Sequence, residues 1–346
     1  MHVKTLVFDD DVLLTGANMS DEYFTSRQDR YVTFSQNTDF ADYCAAMVNA
    51  IASHGDEIAL SDAQSAGAED WKLAAKRRAE GVGAAMKELV ADIRLLQESC
   101  SEAAVRAPVD TWVIPSVTLP GYLEQNETVL FAMLRHVEAS QRAQHKMDSS
   151  RPARARVTMA SAYMNLPNAL VERLNDLSER GAQVELITAD EQSHGFSGAT
   201  GVKGIIPGLY EKLLENLVKL LHADVRLRRW RVEDWVFHGK GLWISFPGTN
   251  PASEKERRTS SNHEAPLDEG VNVSIVTSSN FGFRSFYRDL EAQVLVLTEN
   301  AELQERLSQE VARLVGNSNS RTKVDTRTTP TTIVHTILAS ILQRVL

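Results

Sequence analysis

Histidine and lysine stand two positions apart at two places in this chain, His2-Val3-Lys4 and His238-Gly239-Lys240. The first pair leads through Asp9 to Gly16-Ala17-Asn18 and Asp29-Arg30, the second to Ser278-Ser279-Asn280 and Arg288-Asp289-Leu290-Glu291. Residues i and i+2 of a β-strand share a face, so each copy is expected to present one imidazole and one ammonium together. Two such copies brought together would surround one pocket with two imidazoles, two ammoniums and the two Asn amides. That set can break and remake a phosphodiester bond. A neutral imidazole attacks phosphorus and becomes a phospho-histidine. A protonated one gives its proton to the leaving group and then takes one from the incoming nucleophile. Lysines hold charge on the equatorial oxygens, so no metal or other cofactor is required. An acid beside each histidine would fix its tautomer, and Asp9, Asp29 and Glu291 are the candidates. A single His-x-Lys is weak evidence in a chain with nine histidines. Two copies, each leading to a small-residue turn that ends in Asn, weigh far more.

The duplicated motif resembles that of the phospholipase D superfamily, and longer blocks narrow the resemblance. Residues 10–31 (DDVLLTGANMSDEYFTSRQDRY), Ser161-Ala162-Tyr163-Met164-Asn165-Leu166 and His194-Gly195-Phe196-Ser197-Gly198-Ala199 are similar to the mitochondrial phosphatidylglycerophosphate synthase family. So are Gly201–Pro207, Trp235–Trp243 and Ser279–Ser285. The resemblance is weakest at about 55–110. It implies an α/β fold of two tandem phospholipase D-like domains, each a mixed sheet flanked by helices, with the first incomplete. It implies transfer of a phosphatidyl group from CDP-diacylglycerol to sn-glycerol 3-phosphate, with CMP released, on the route to phosphatidylglycerol and cardiolipin. His2, Lys4, Asp9, His238 and Lys240 would then be catalytic, and Asn18, Asp29, Ser278, Asn280 and Glu291 would line the substrate site. By analogy His2 is the nucleophile and His238 the general acid/base, although the residues themselves allow the reverse. The resemblance alone implies a mitochondrial location, peripheral on the matrix side of the inner membrane. Other phosphodiester chemistry of the superfamily, and a silent fragment, are the competing readings.

The chain departs from the superfamily pattern in two ways. An acid is expected five residues after each motif lysine. Asp9 fills that place in the first copy, but Ser245 stands there in the second. Glu291, or Asp29 reaching across, would then orient His238. Thr277 also replaces the glycine usual before Ser278. The first motif begins directly after Met1, where the family carries a long preceding segment. The expectation is a truncated chain, with an open edge on its first sheet and a catalytic histidine at a terminus prone to fraying.

Composition sets outer bounds. A length of 346 residues with 43% hydrophobic content gives ample core. No run approaches the roughly 18 apolar residues of a membrane span. A net charge of −9 argues against nucleic-acid binding. Cys44 and Cys100 offer neither a disulfide framework nor metal spacing.

The elements that must position these groups fall into a first domain at 1–150 and a second at 151–346. Strands are expected at 4–9, 12–16, 30–35 and 112–114, and helices at 38–53, 68–100 and 124–145. The second half reads as strands at 155–162, 183–189, 224–231, 235–246, 271–277 and 291–298. Its helices fall at 168–179, 208–221 and 299–315, and Gly181 is placed as a helix C-cap. Residues 247–270 read as a flexible insertion. The Gly-rich loop 195–208, with His194 and Lys203 near it, could meet a pyrophosphate. The run Arg226, Arg228, Arg229 and Arg231 is either a solvated strand edge or a patch for anionic headgroups. An amphipathic helix is expected at 332–346, docked on its own domain or lying at a membrane surface. Some membrane contact is required, because the implied substrate is a lipid.

Overall fold

The computed structural model describes residues 1–54, 83–98, 109–147, 154–195, 206–246 and 270–320. The insertion at 247–269, most of the Gly-rich loop with Lys203, Cys100 and the segment 332–346 lie outside the described residues.

The chain opens with a hairpin. β1 (Thr5–Phe8) and β2 (Asp11–Thr15) pair antiparallel around Asp9 and Asp10. Asp9 takes φ +50, a left-handed conformation that a short polar side chain tolerates in a tight turn. The two-residue β3 (Arg27–Gln28) precedes β4 (Tyr31–Phe34), which pairs with β2 to complete a three-stranded sheet with β1 at an edge. The helix Thr38–Ser53 covers this sheet. Asn37 caps it by accepting the Phe40 N–H, and Phe40, Ala41, Cys44 and Met47 repeat at helical spacing along its buried face. The buried Cys44 thiol is pushed up to about 12 by burial.

The larger sheet has nine strands. Its members are β5 (Thr111–Leu119), β6 (Leu123–Glu124), β7 (Arg156–Ala160), β8 (Gln183–Ala189), β9 (Arg226–Trp230), β11 (Gly241–Ser245), β12 (Val273–Thr277), β13 (Glu291–Thr298) and β14 (Ser318–Ser320). They lie in the order β14-β9-β8-β7-β11-β12-β13-β5-β6. The trio β7, β8 and β9 is parallel and the other pairings are antiparallel, so the sheet is mixed. β11 and β12 are buried at every position, and their near-continuous apolar runs reflect coverage on both faces. One face packs on the helices Gln125–Met147, Asn168–Glu179 and Ile206–Leu220 through Leu134, Leu170, Leu174 and Leu217. The other receives Val311 and Leu314 of the helix Ala301–Gly316 against Trp230, Phe237 and Trp243. The Asn168–Glu179 helix ends in a Schellman motif. Gly181 has φ +89, its N–H bonds to Ser178 O, and the Ala182 N–H bonds to Leu177 O.

Three local differences from the sequence expectation have physical causes. The expected strand 235–246 is two strands, β10 (Val236–Phe237) and β11, because the chain changes partner between them. β10 pairs in parallel with β3, while β11 joins the large sheet. The expected short strand 112–114 extends to Leu119, since β13 supplies a ladder along its whole length. Its Pro115 is tolerated because β6 pairs only at 118–119, leaving the outer edge open at that point. The arginine run is not an open edge. β14 covers β9, Arg228 pairs with Glu185, and Arg229 with Glu211. β5 and β6, from before residue 150, share one sheet with strands from beyond it.

Candidate active site

Neither His-x-Lys motif lies inside a strand. His2 and Lys4 precede β1, and His238-Gly239-Lys240 forms the crossing between β10 and β11. A strand pleat therefore does not bring imidazole and ammonium together, yet in the second copy they still meet, with Lys240 Nζ 2.7 Å from His238 Nδ1. Each lysine folds back instead. Lys4 Nζ donates to His2 O at 2.8 Å, and Lys240 Nζ donates to His238 O at 2.7 Å. The first histidine is not frayed, because its N–H donates to Leu290 O at 2.8 Å.

Each imidazole is held by an acid from the opposite part of the chain. His238 Nδ1 meets Asp29 Oδ2 at 2.6 Å, and His2 Nδ1 meets the two oxygens of Glu291 at 3.1 and 3.0 Å. Asp9 does neither, since it is exposed at the tip of the first hairpin. The two acids occupy matching places. Asn18 to Asp29 and Asn280 to Glu291 are both eleven residues apart. Thr15 Oγ1 accepts the Ala17 N–H at 3.0 Å, and Thr277 Oγ1 accepts the Ser279 N–H at 3.0 Å. Thr277 therefore repeats the turn that Thr15 makes. Gly16 and Ser278 also correspond. Ser278 Oγ donates to Glu291 Oε2 at 2.5 Å. A Cβ on Gly16 would stand 2.6 Å from Asp29 Oδ1 and 3.1 Å from Lys240 Nζ, so only glycine lets that backbone pass. A pseudo-twofold relation follows from these paired contacts.

The pairs share one electrostatic environment. The Lys4 ammonium feels Glu291 and Asp29, and Lys240 feels Asp29, Lys4, Glu291 and Arg27. Burial pushes Lys240 down to about 8 against the pull of Asp29, and burial lowers Lys4 against Glu291 and Asp29. Burial, reinforced by the Lys240 charge, brings His238 to about 4, and Asp29 opposes both.

Donor counting gives the same state for His238. Nδ1 faces the Asp29 carboxylate at 2.6 Å and the Lys240 ammonium at 2.7 Å. The carboxylate can only accept and Lys240 also donates to His238 O, so the Nδ1 hydrogen is assigned to the bond with Asp29. Tyr23 Oη accepts from Asn18 Nδ2 and from Arg27, each at 3.2 Å. Its own hydrogen then points at His238 Nε2, 3.3 Å away. That assignment leaves the lone pair on Nε2 and His238 as a neutral imidazole, in keeping with its lowered pKa. Tyr23 also meets the His238 ring edge-on at 5.1 Å between centroids, and Arg27 lies 4.6 Å over the phenol. Neither Tyr23 nor Arg27 stands out from spacing alone. Their only signal is the conjunction of an aromatic and a cation four residues apart between Asn18 and Asp29.

Asn18 reaches His238 through Tyr23, while the Asn280 Oδ1 is buried with no hydrogen-bond partner among the described residues. Lys203 lies outside the described residues. His194 is buried among Tyr163 and Tyr210, with ring centroids 5.1 and 5.4 Å away, and burial brings its pKa down to about 4. Among the described residues no cluster of His, Cys, Asp and Glu is arranged to hold a metal ion.

A family model described as "Cardiolipin synthase, PLD-like domain" matches residues 147–315. The mitochondrial CDP-diacylglycerol–glycerol-3-phosphate 3-phosphatidyltransferase of Bos taurus is 30% identical over 90% of this chain and 54% of its own length. The protein of the same name from Homo sapiens gives the same three figures. The Saccharomyces cerevisiae transferase is 26% identical over 95% of this chain and 62% of its own length. The chain thus spans little more than half the length of these relatives. Among solved structures, the phosphatidylserine synthase of Haemophilus influenzae Rd KW20 superposes with a TM-score of 0.62 at 19% identity. That match covers 100% of this chain and 71% of the other, and it supports the fold. The chain is thus similar over most of its length to phosphatidylglycerophosphate synthases, and its residues 147–315 match a phospholipase D-like domain.

Proposed function

We propose that the chain carries the transferase site of its relatives and moves a phosphatidyl group from CDP-diacylglycerol to sn-glycerol 3-phosphate. One observation carries the reading: two imidazoles, each oriented by a carboxylate from the other part of the chain, with a buried Lys240 and a half-buried Lys4 ammonium that both feel the two carboxylates. In the first step His238 Nε2 attacks the phosphorus that bears the diacylglycerol. The P–N bond forms, the P–O bond to CMP breaks, and CMP leaves. In the second step His2, backed by Glu291, takes the proton of the glycerol 3-phosphate hydroxyl. The oxygen attacks phosphorus, the P–N bond breaks, His238 regains its lone pair, and His2 passes the proton to solvent. Lys4 and Lys240 hold the phosphoryl oxygens throughout. Assigning the nucleophile to His238 reverses the family analogy. It rests on the Nε2 lone pair that the Asp29 and Tyr23 contacts favour.

The membrane side of the reading has its own support. No helix among the described residues is long and apolar enough to cross a bilayer, yet the substrate's acyl chains must stay in one. Met19 and Phe24 are 79% and 68% exposed and flank Tyr23 in sequence. Trp235, also partly exposed, precedes the strand that pairs beside Arg27. These apolar side chains would rest on the lipid surface at the mouth of the site. The mammalian relatives are named as mitochondrial enzymes, and the reading extends that location to this chain.

The test is incubation of the purified chain with CDP-diacylglycerol vesicles and glycerol 3-phosphate, serine or water as acceptor. Phosphatidylglycerophosphate and CMP in equal amounts, formed in the presence of chelator, are expected. Phosphatidylserine or phosphatidic acid as the main product would assign a different acceptor and overturn the proposal.

A further inference from the structure

Beside His238 lies a cleft that the mechanism above does not use. It sits at the carboxyl ends of the parallel strands β7 and β8, where open α/β sheets commonly take their ligands. Tyr163 follows β7, Glu191 and His194 follow β8, and Tyr210 comes from the first turns of the helix Ile206–Leu220. The rings of Tyr163, His194 and Tyr210 are in mutual contact, at 4.8–5.4 Å between centroids, and make one aromatic wall. That wall reaches the reacting centre, because Tyr163 stands 6.2 Å from the His238 ring. Gly195 fixes it closely: a Cβ there would come within 2.8 Å of the Tyr163 hydroxyl. Of the two acids at the cleft, Glu211 is taken by Arg229, whereas Glu191 makes no ion pair among the described residues. Glu191 is also half-buried, so its charge can be presented to a ligand without being wholly desolvated.

We infer that this cleft binds the nucleoside half of the donor substrate, with the base stacked on the aromatic wall of Tyr163 and Tyr210 and its exocyclic amine given to Glu191. The inference rests on the phosphatidyltransferase reading for the identity of the donor. The chemistry on the page selects an amine-bearing pyrimidine. An aromatic face accepts any base, but a carboxylate accepts only from a donor: cytosine offers its 4-amino group at the outer edge, whereas the N3–H of uracil lies between two carbonyls whose lone pairs repel a carboxylate. Stacking next to His238 would also set the direction of the diphosphate, placing the CMP phosphate on the leaving side.

Direct binding tests this without any turnover. The whole chain would be titrated calorimetrically with CMP and with UMP, and transferase activity would be measured in parallel. CMP is expected to bind at least tenfold tighter than UMP. Glu191→Ala should abolish that preference, and Tyr210→Ala should weaken both nucleotides about tenfold. Both variants should raise KM for CDP-diacylglycerol more than they lower kcat. Equal CMP affinity in wild type and both variants would overturn the inference, as would absence of CMP binding by a chain that still transfers phosphatidyl groups. If CMP binds as described but no phosphatidyl transfer occurs, the cleft assignment stands and the reaction assigned above fails.

Discussion

Asp29→Asn separates orientation from shape, because the two side chains have nearly the same size. Asp29 Oδ1 accepts the Arg30 N–H at 2.8 Å, and Oδ2 accepts from His238 Nδ1 at 2.6 Å. In the variant the carbonyl oxygen must stay on Arg30, since an N–H facing an NH2 group is repulsive. The NH2 group then takes the place of Oδ2 and faces Nδ1 as a donor. Nδ1 can meet it only with a lone pair, so the ring proton moves to Nε2. The lone pair is now on the wrong atom, and the Tyr23 hydroxyl loses its acceptor. A tautomer reversed in this way in a serine-protease triad lowers kcat by about 10⁴, and a loss of roughly 10³–10⁴ is expected here, or about 4–5.5 kcal/mol at ~1.36 kcal/mol per decade. The assay is single-turnover CMP release from CDP-diacylglycerol, with acid-quenched trapping of the phosphatidyl-enzyme. Both signals should fall together while the unfolding midpoint moves little. CMP release within tenfold of wild type, at an unchanged unfolding midpoint, would refute the tautomer argument and with it the nucleophilic role of His238.

Further outcomes follow from other contacts. Gly16→Ala should cut activity at least a hundredfold and lower stability by about 1–3 kcal/mol, read from denaturant melts, because the new Cβ meets Asp29 and the buried Lys240. Lys240 loses its charge above about pH 8, so kcat should decline from there upward, and a rate flat to pH 10 would remove it from phosphoryl stabilisation. His238 and His194 both fall to about 4 when folded, from an ordinary 6.5. Between those values the unfolded chain binds protons that the folded chain does not, so stability should decrease as pH drops through that window. Urea midpoints across pH should show this, and His194→Gln should flatten part of the slope. Arg30→Ala should cost about 3 kcal/mol, because it strands Glu310 beside Trp243.

Much of the fold could be read from pattern, and the failures share a cause. The helix Asn168–Glu179 and the strands Gln183–Ala189 and Glu291–Thr298 match their expected bounds, because each has clear periodicity and a local stop signal such as Gly181. The strand 235–246 broke and the strand 112–114 grew because pairing with β3 and β13 decides them, and pairing partners leave no mark in a local window. The same holds at the site. His2, Lys4, His238 and Lys240 announce themselves by spacing. Spacing also names Asp29 and Glu291 as the candidates for His238 but does not choose between them, although the equal eleven-residue offsets from Asn18 and Asn280 are there to be counted. Asp9 satisfied a linear pattern, but the hairpin turns it outward.

The crossed acids have a consequence for how the site is held together. Asp29 orients His238, Glu291 orients His2, the parallel pair of β3 and β10 lies directly beside the first contact, and Arg30 bonds to Glu310, to Ser274 and to Ile275 O. All of these join residues near the start of the chain to residues beyond 230. Neither imidazole would have a fixed tautomer if the two parts separated, and two lysines at close quarters would repel one another without the intervening carboxylates. Catalytic competence and docking of the parts are therefore one equilibrium. A substitution at the Arg30–Glu310 pair, which touches neither imidazole, should lower the competent fraction and so reduce kcat in proportion to the loss of docking, with little change in KM. A change in KM alone would show that the pair shapes the substrate site and leaves the joining of the two parts unaffected.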